Sequence, residues 1–155
     1  MNSTKAFTII EMIFVIVIIG VLALVAIPRL SATYDDARVS LVLKKVGTLI
    51  NDLGTYYTTK DFYSPNLDDM TYLSDVNFSQ PWDSVAEKGV ITLYTPDNEK
   101  NLEPCVHFSI ENRDGNLTVY NASNPVGDIC KSLHQITTYK ALLGTKLIGG
   151  NRVKF

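Results

Sequence analysis

The first residue in this chain that calls for a chemical explanation is a single carboxylate inside an unbroken apolar run. Residues 7–27 read FTIIEMIFVIVIIGVLALVAI, and Glu11 is the one formal charge among them. A carboxylate on a lipid-facing helix costs roughly 2.5–3.5 kcal/mol near the centre and less near an end, so it calls for a partner. No Lys or Arg lies within the run. If the chain is cut just before Phe7, the new α-amino group stands four residues before Glu11, one helical turn away. Ammonium and carboxylate then neutralise each other, within a subunit or between neighbours.

Other side chains offer less. His107 and His134 are the only histidines. Cys105-x-His107 lacks the paired spacing of a zinc site, and His107 reads as a solvent-facing strand residue. There is no Gly-rich phosphate loop and no nucleophile motif, so an enzyme is not expected. Asp97-Asn98-Glu99 and the loop from Asn121 to Asp128 offer oxygen ligands for calcium, although Asp128 is the one carboxylate in the second loop. No other cofactor is expected. Cys105 and Cys130 are the only cysteines. An even count favours a disulfide if the domain is exported, and two buried thiols if it is not. Asn77 and Asn116 each sit in an acid-x-Asn-x-Ser/Thr pattern, a candidate glycosylation signal in bacteria that possess the machinery.

The elements that must position these residues follow from hydropathy and charge. The 155 residues suffice for one modest domain plus an extra element. The apolar excess sits almost entirely in residues 7–27, about 30 Å of helix and so the thickness of a bilayer core. A cleaved secretory signal fits poorly: its apolar region is shorter, and Ile27-Pro28-Arg29 is not a small-x-small cleavage site. A plain membrane anchor fits the length but leaves Glu11 unexplained. The net charge of -2 excludes a globally basic nucleic-acid binder. It also conceals an asymmetry: thirteen acidic residues face four basic ones from Asp52 to Asp128, whereas residues 131–155 hold five basic residues and no acid. That tail invites a DNA-contact reading beside a plainer solvated or intersubunit one.

After Pro28 the pattern stays helical. Val39, Val42, Val46, Leu49, Leu53 and Tyr56 recur at spacings of three and four and form one stripe, with Asp35, Arg38, Lys44, Lys45 and Asp52 off it. The helix is predicted from near Phe7 to about Tyr57. Gly47 and Gly54 are places where another segment could approach. Residues 58–87 read as a turn-rich connection with short helical pieces near Leu67 to Leu73. Val90 to Tyr94 is β-prone. Val106, Phe108 and Ile110 alternate with polar residues, and a turn at Arg113 to Asn116 leads to a second alternating run through Leu117 and Val119: an antiparallel hairpin. A last strand is expected near Asn151 to Phe155, and Cys130 to Leu143 is ambiguous. A Cys105–Cys130 bridge would tie the first hairpin strand to the late loop.

The stretch Lys5-Ala6-Phe7-Thr8-Ile9-Ile10-Glu11 resembles the class III leader junction of type IV prepilins and type II secretion pseudopilins. The resemblance implies a leader Met1 to Ala6, a cut at Ala6/Phe7 by a prepilin peptidase, N-methylation of Phe7, and a register-setting role in assembly for Glu11. Most members have Gly before the cut; Ala6 is still small. Gly20 and Pro28 fall where filament-forming members carry helix-weakening residues. Lys5 leaves positive charge on the cytoplasmic side.

The fold expected is α+β, a long N-terminal helix on a small antiparallel sheet. The divisions are a leader (1–6), a transmembrane and assembly helix (7–28), its amphipathic continuation (29–57) and a periplasmic domain (58–155). The expected function is that of a pseudopilin in a type II secretion-like machine, serving protein secretion or DNA uptake. A type IV pilus subunit for adhesion or motility is one alternative, and a membrane-anchored periplasmic binding module that never polymerises is another. The implied partners are other pilins, the peptidase, an inner-membrane platform protein, a cytoplasmic ATPase and, through the basic tail, DNA. The implied location is the bacterial inner membrane, crossed once.

Overall fold

The computed structural model describes residues 7–148, with 25–34 described by their backbone alone. The leader expected at 1–6, with Ala6 at its end, and the strand expected at 151–155 lie outside the described residues. The chain forms two compact units, Met1–Ala37 and Arg38–Phe155.

Helix α1 runs over Ile9–Lys60, its backbone continuous through Gly20 and Pro28. In the first unit its apolar side chains stand in the open: Ile9, Ile10, Phe14 and Leu24 are all exposed, as is Phe7 just before the helix. In the second unit the predicted stripe is the core-facing surface. Val46, Leu49 and Leu53 are completely buried, and Val39 and Val42 nearly so. The stripe ends on Tyr57 rather than Tyr56: Tyr57 is buried and Tyr56 half-buried. A spacing of four from Leu53 keeps the residue over the sheet, and a spacing of three turns it toward Phe62, whose ring Tyr56 meets edge-on.

The sheet is a five-stranded antiparallel meander: β1 (Val76–Asp83), β2 (Lys88–Pro96), β3 (Leu102–Glu111), β4 (Asn116–Asn121) and β5 (Gly144–Leu147), in that spatial order. Between β4 and β5 the chain forms α2 (Asp128–Gln135) and α3 (Thr137–Lys140), which resolves the ambiguous stretch. Alternation places the rows Ile91–Phe108–Val119 and Leu93–Val106 inward against the stripe. The rows Asn77–Thr92–His107–Tyr120 and Ser109–Thr118–Thr145 lie on the other face.

Two strands depart from expectation. β1 lies inside the predicted connection 58–87, and β5 supplies an edge strand at 144–147. Polar contacts fix the segment that leads to β1. Lys45 pairs with Asp75, and Thr71 Oγ1 donates to Asp52 Oδ2 at 2.8 Å. Asn112, in the β3–β4 turn, accepts from Tyr63 N–H and from the Tyr57 hydroxyl, through its side chain and its carbonyl respectively. A β-carbon on Gly54 would meet Ile148 at the distance of ordinary van der Waals contact, whereas one on Gly47 would meet nothing among the described residues within 4 Å.

The entry to α2 depends on one glutamate. Glu103 on β3 accepts from Val126 N–H and Gly127 N–H, each at 2.8 Å. A β-carbon on Gly127 would stand 2.5 Å from Glu103 Oε1 and 3.0 Å from the Asp97 backbone. Gly127→Ala is therefore expected to cost about 1–3 kcal/mol through overpacking and loss of this clamp, read as a lower thermal unfolding midpoint.

Candidate assembly site at the N-terminus

Helix α1 begins with a reciprocal cap. Thr8 precedes the first helical residue, and Glu11 is three residues further on, the spacing of a capping box. Glu11 N–H donates to Thr8 Oγ1 at 3.3 Å, while Thr8 N–H and the Thr8 hydroxyl donate to Glu11 Oε2 at 3.1 and 3.0 Å. The carboxylate thus sits in the first turn, where the partial positive charge of the helix end favours an anion. Thr8 already holds it, and the signal, Thr-x-x-Glu before an apolar run, is legible in the sequence.

Phe7, Ile10, Glu11, Phe14 and Val15 line one face of this first turn and the next. Apolar exposure of this extent is far more than a soluble monomer carries and marks a surface that something must cover. Gly20 lies within α1 with nothing among the described residues within 4 Å of where a β-carbon would be. Among the described residues, no helix is long and apolar enough to cross a membrane. The described side chains of the apolar run stop at Leu24.

The remaining candidate residues lie in the second unit and form separate groups. Cys105 and Cys130 form a disulfide, with Cα atoms 5.6 Å apart, joining β3 to α2. His107 is not solvent-facing but half-buried: its Nδ1 lies 2.6 Å from Thr92 Oγ1, its ring packs on Tyr120, and burial holds its imidazole below the usual pKa. His134, not His107, is the histidine beside the cysteines.

In the first of the loops considered for calcium, Asp97 and Asn98 have side-chain oxygens engaged in hydrogen bonds to backbone N–H groups. Asp97 Oδ1 accepts from Glu99 N–H and Asn101 N–H, and Asn98 Oδ1 accepts from Asp128 N–H. Among the described residues, the His, Cys, Asp and Glu side chains close enough to share one ion are Cys105, Cys130 and His134. Asn77 is exposed on the edge strand β1. Asn116 is half-buried, its Oδ1 enclosed without a hydrogen-bond partner among the described residues. Of the basic tail, Lys131 reaches Asp128 at 3.8 Å, and Arg152 and Lys154 lie outside the described residues.

Comparison with curated proteins and with solved structures finds no match. Comparison with protein families finds one that bears on the N-terminus: residues 1–27 match the prokaryotic N-terminal methylation motif. That segment contains the capped start of α1, its carboxylate and the apolar face around it. The motif over this N-terminus supports a class III prepilin leader of the type IV pilin and pseudopilin family.

Proposed function

We propose that this chain is a structural pseudopilin of a type II secretion-like machine. It is cut at Ala6/Phe7, methylated on the Phe7 amine, and held in the bacterial inner membrane by residues 7–28 with its C-terminal domain in the periplasm. The observation that carries the reading is the uncovered apolar face of α1 with Glu11 in its first turn. Such a face is silent in a monomer and useful in a polymer, where neighbouring helices bury it. Subunits joined this way make a heterologous, open-ended contact and hence a helical filament.

Glu11 meets the methylated amine of a neighbouring subunit and sets the step between them. Gly20 and Pro28 let the helix adjust as it leaves the bilayer, Gly20 by its backbone freedom and Pro28 by its missing N–H. The platform protein and ATPase are the machinery such assembly requires. The polar domain, small and held by one disulfide, fits a short periplasmic filament serving protein secretion or DNA uptake better than a long surface pilus. Asn77, exposed on an edge strand, is the more accessible of the two asparagines for a glycan.

N-terminal sequencing and intact mass of the native protein test the processing. The expected result is a mature chain that begins with N-methyl-Phe at Phe7. A chain that begins at Met1, or after Ala26, overturns it. Deleting the gene then separates the machines, through loss of secreted proteins or of DNA uptake on one side and loss of surface pili on the other.

A further inference from the structure

The geometry points to a zinc site in the thiol form of this chain, made by Cys105, Cys130 and His134. Cys130 and His134 are four residues apart on α2 and so share a helix face. Cys105 meets that face from β3. His134 Nε2 stands 3.4 Å from Cys130 Sγ and 3.9 Å from Cys105 Sγ. With Zn–S of about 2.3 Å and Zn–N of about 2.0–2.1 Å, a tetrahedral ion separates its sulfur and nitrogen ligands by about 3.6 Å. The two N···S edges therefore already bracket the required length. Only the two sulfurs, joined here as a disulfide, have to part, and they do so when they are thiols.

The surroundings suit the ion. Both cysteines are completely buried, and the imidazole is stacked on Tyr139 with ring planes 8° apart and centroids separated by 5.6 Å. Tyr139 is itself held by a 2.6 Å hydrogen bond from its hydroxyl to Asn121 Oδ1. The stack fixes the plane of the ring, as an outer-shell partner does in known metal sites. Two thiolates and one imidazole are a soft donor set that selects zinc over calcium or magnesium, and three protein ligands leave the fourth position to a water.

The chemistry balances without a redox step. The chain is made with thiols. Zinc takes the place of the two thiol protons, which are released to water. His134 Nε2 gives up its contact with the Cys105 carbonyl, 3.0 Å away, and the ring proton resides on Nδ1. A bound ion holds the two sulfurs in their folded positions, and holds them apart, until the disulfide closes. This site is independent of how the N-terminus is processed.

The test is titration of the full chain in detergent, with its disulfide reduced by a phosphine, using cobalt as a spectroscopic stand-in and then zinc. The expected result is thiolate-to-cobalt charge-transfer and tetrahedral ligand-field bands saturating at one equivalent, bleached by zinc, with two protons released. The oxidised chain shows none of these. His134→Ala weakens binding by at least the ~10–100-fold that loss of an outer-shell partner costs. Circular dichroism accompanies each titration. If reduction unfolds the domain, one equivalent of zinc restores the signal. Absence of the bands in the reduced chain, equal binding by the oxidised chain, unchanged affinity in His134→Ala, or a reduced, unfolded chain that zinc does not restore each overturns the proposal.

Discussion

Glu11→Val is expected to abolish filament assembly while leaving the chain in the membrane. The substitution removes the only formal charge from residues 7–27 and puts a lipophilic, β-branched side chain in its place. Insertion becomes easier, because no carboxylate has to enter the bilayer, so a loss of filaments cannot be assigned to failed anchoring. The local cap weakens as well, since Thr8 loses the acceptor for its N–H and hydroxyl. A frayed first turn costs about 1 kcal/mol, too little to dissolve a filament by itself.

In the proposed filament the large term lies between subunits. A buried ammonium left without its carboxylate costs about 3–5 kcal/mol. At 1.4 kcal/mol per factor of ten, that weakens each contact by roughly a hundredfold to several thousandfold. The measurement is the amount of sheared or cross-linked filament against membrane-bound subunit. Normal filaments from Glu11→Val would remove the role given to the carboxylate. Normal function with no filament in either form would favour a monomeric binding module. Thr8→Ala separates the two contributions. It removes the hydroxyl from the cap but keeps Glu11 charged, so assembly survives it.

What could be read before the fold was known follows the strength of each periodic signal. The stripe from Val39 to Leu53 is long and regular, and every member of it is buried. The hairpin β3–β4 combines strict alternation with a turn through Gly115, whose positive φ of 63° glycine accommodates without a steric penalty. β1 escapes for a physical reason. As an edge strand it is paired on one side only, its register is interrupted twice, and it carries Asn77, Ser79, Gln80 and Pro81, residues that an edge tolerates and an alternation search rejects. β5 has four residues, and its pattern is too short to separate from loop.

At the N-terminus the carboxylate was legible as an anomaly, and its capping partner Thr8 was legible as a spacing. Reading Glu11 only as a charge in lipid hides the cap. The Cys–Cys–His group is half-legible: Cys130 and His134 show their helical spacing once α2 is known, but only the fold brings Cys105 to them.

Removing the bridge with Cys105→Ala and Cys130→Ala together is expected to cost 2–5 kcal/mol. The disulfide closes a loop with a sequence separation of 25, for which the chain-entropy relation gives about 3.5 kcal/mol. Set against a domain stability of about 5–15 kcal/mol, that is a large share. The loss should not be uniform. β2 and β3 are each paired with a strand on both sides and pack their inward rows on the α1 stripe, which holds them without the bridge. The eight residues of α2 are too few to persist as a helix alone. They depend on the burial of Ile129 and Leu133, the Glu103 clamp, the Tyr139–Asn121 bond downstream and the bridge itself. With the bridge gone, the segment from Val126 to Ile148 opens first. Amide exchange is therefore expected to accelerate most across α2 and α3, less in β5, and least in β2 and β3, while the urea midpoint of the detergent-solubilised chain falls. An unchanged midpoint would mean that the clamp and Tyr139 hold the segment without the bridge. A uniform rise in exchange would mean that α2 and the sheet unfold as one unit, so that the bridge stabilises the whole domain rather than the piece it tethers.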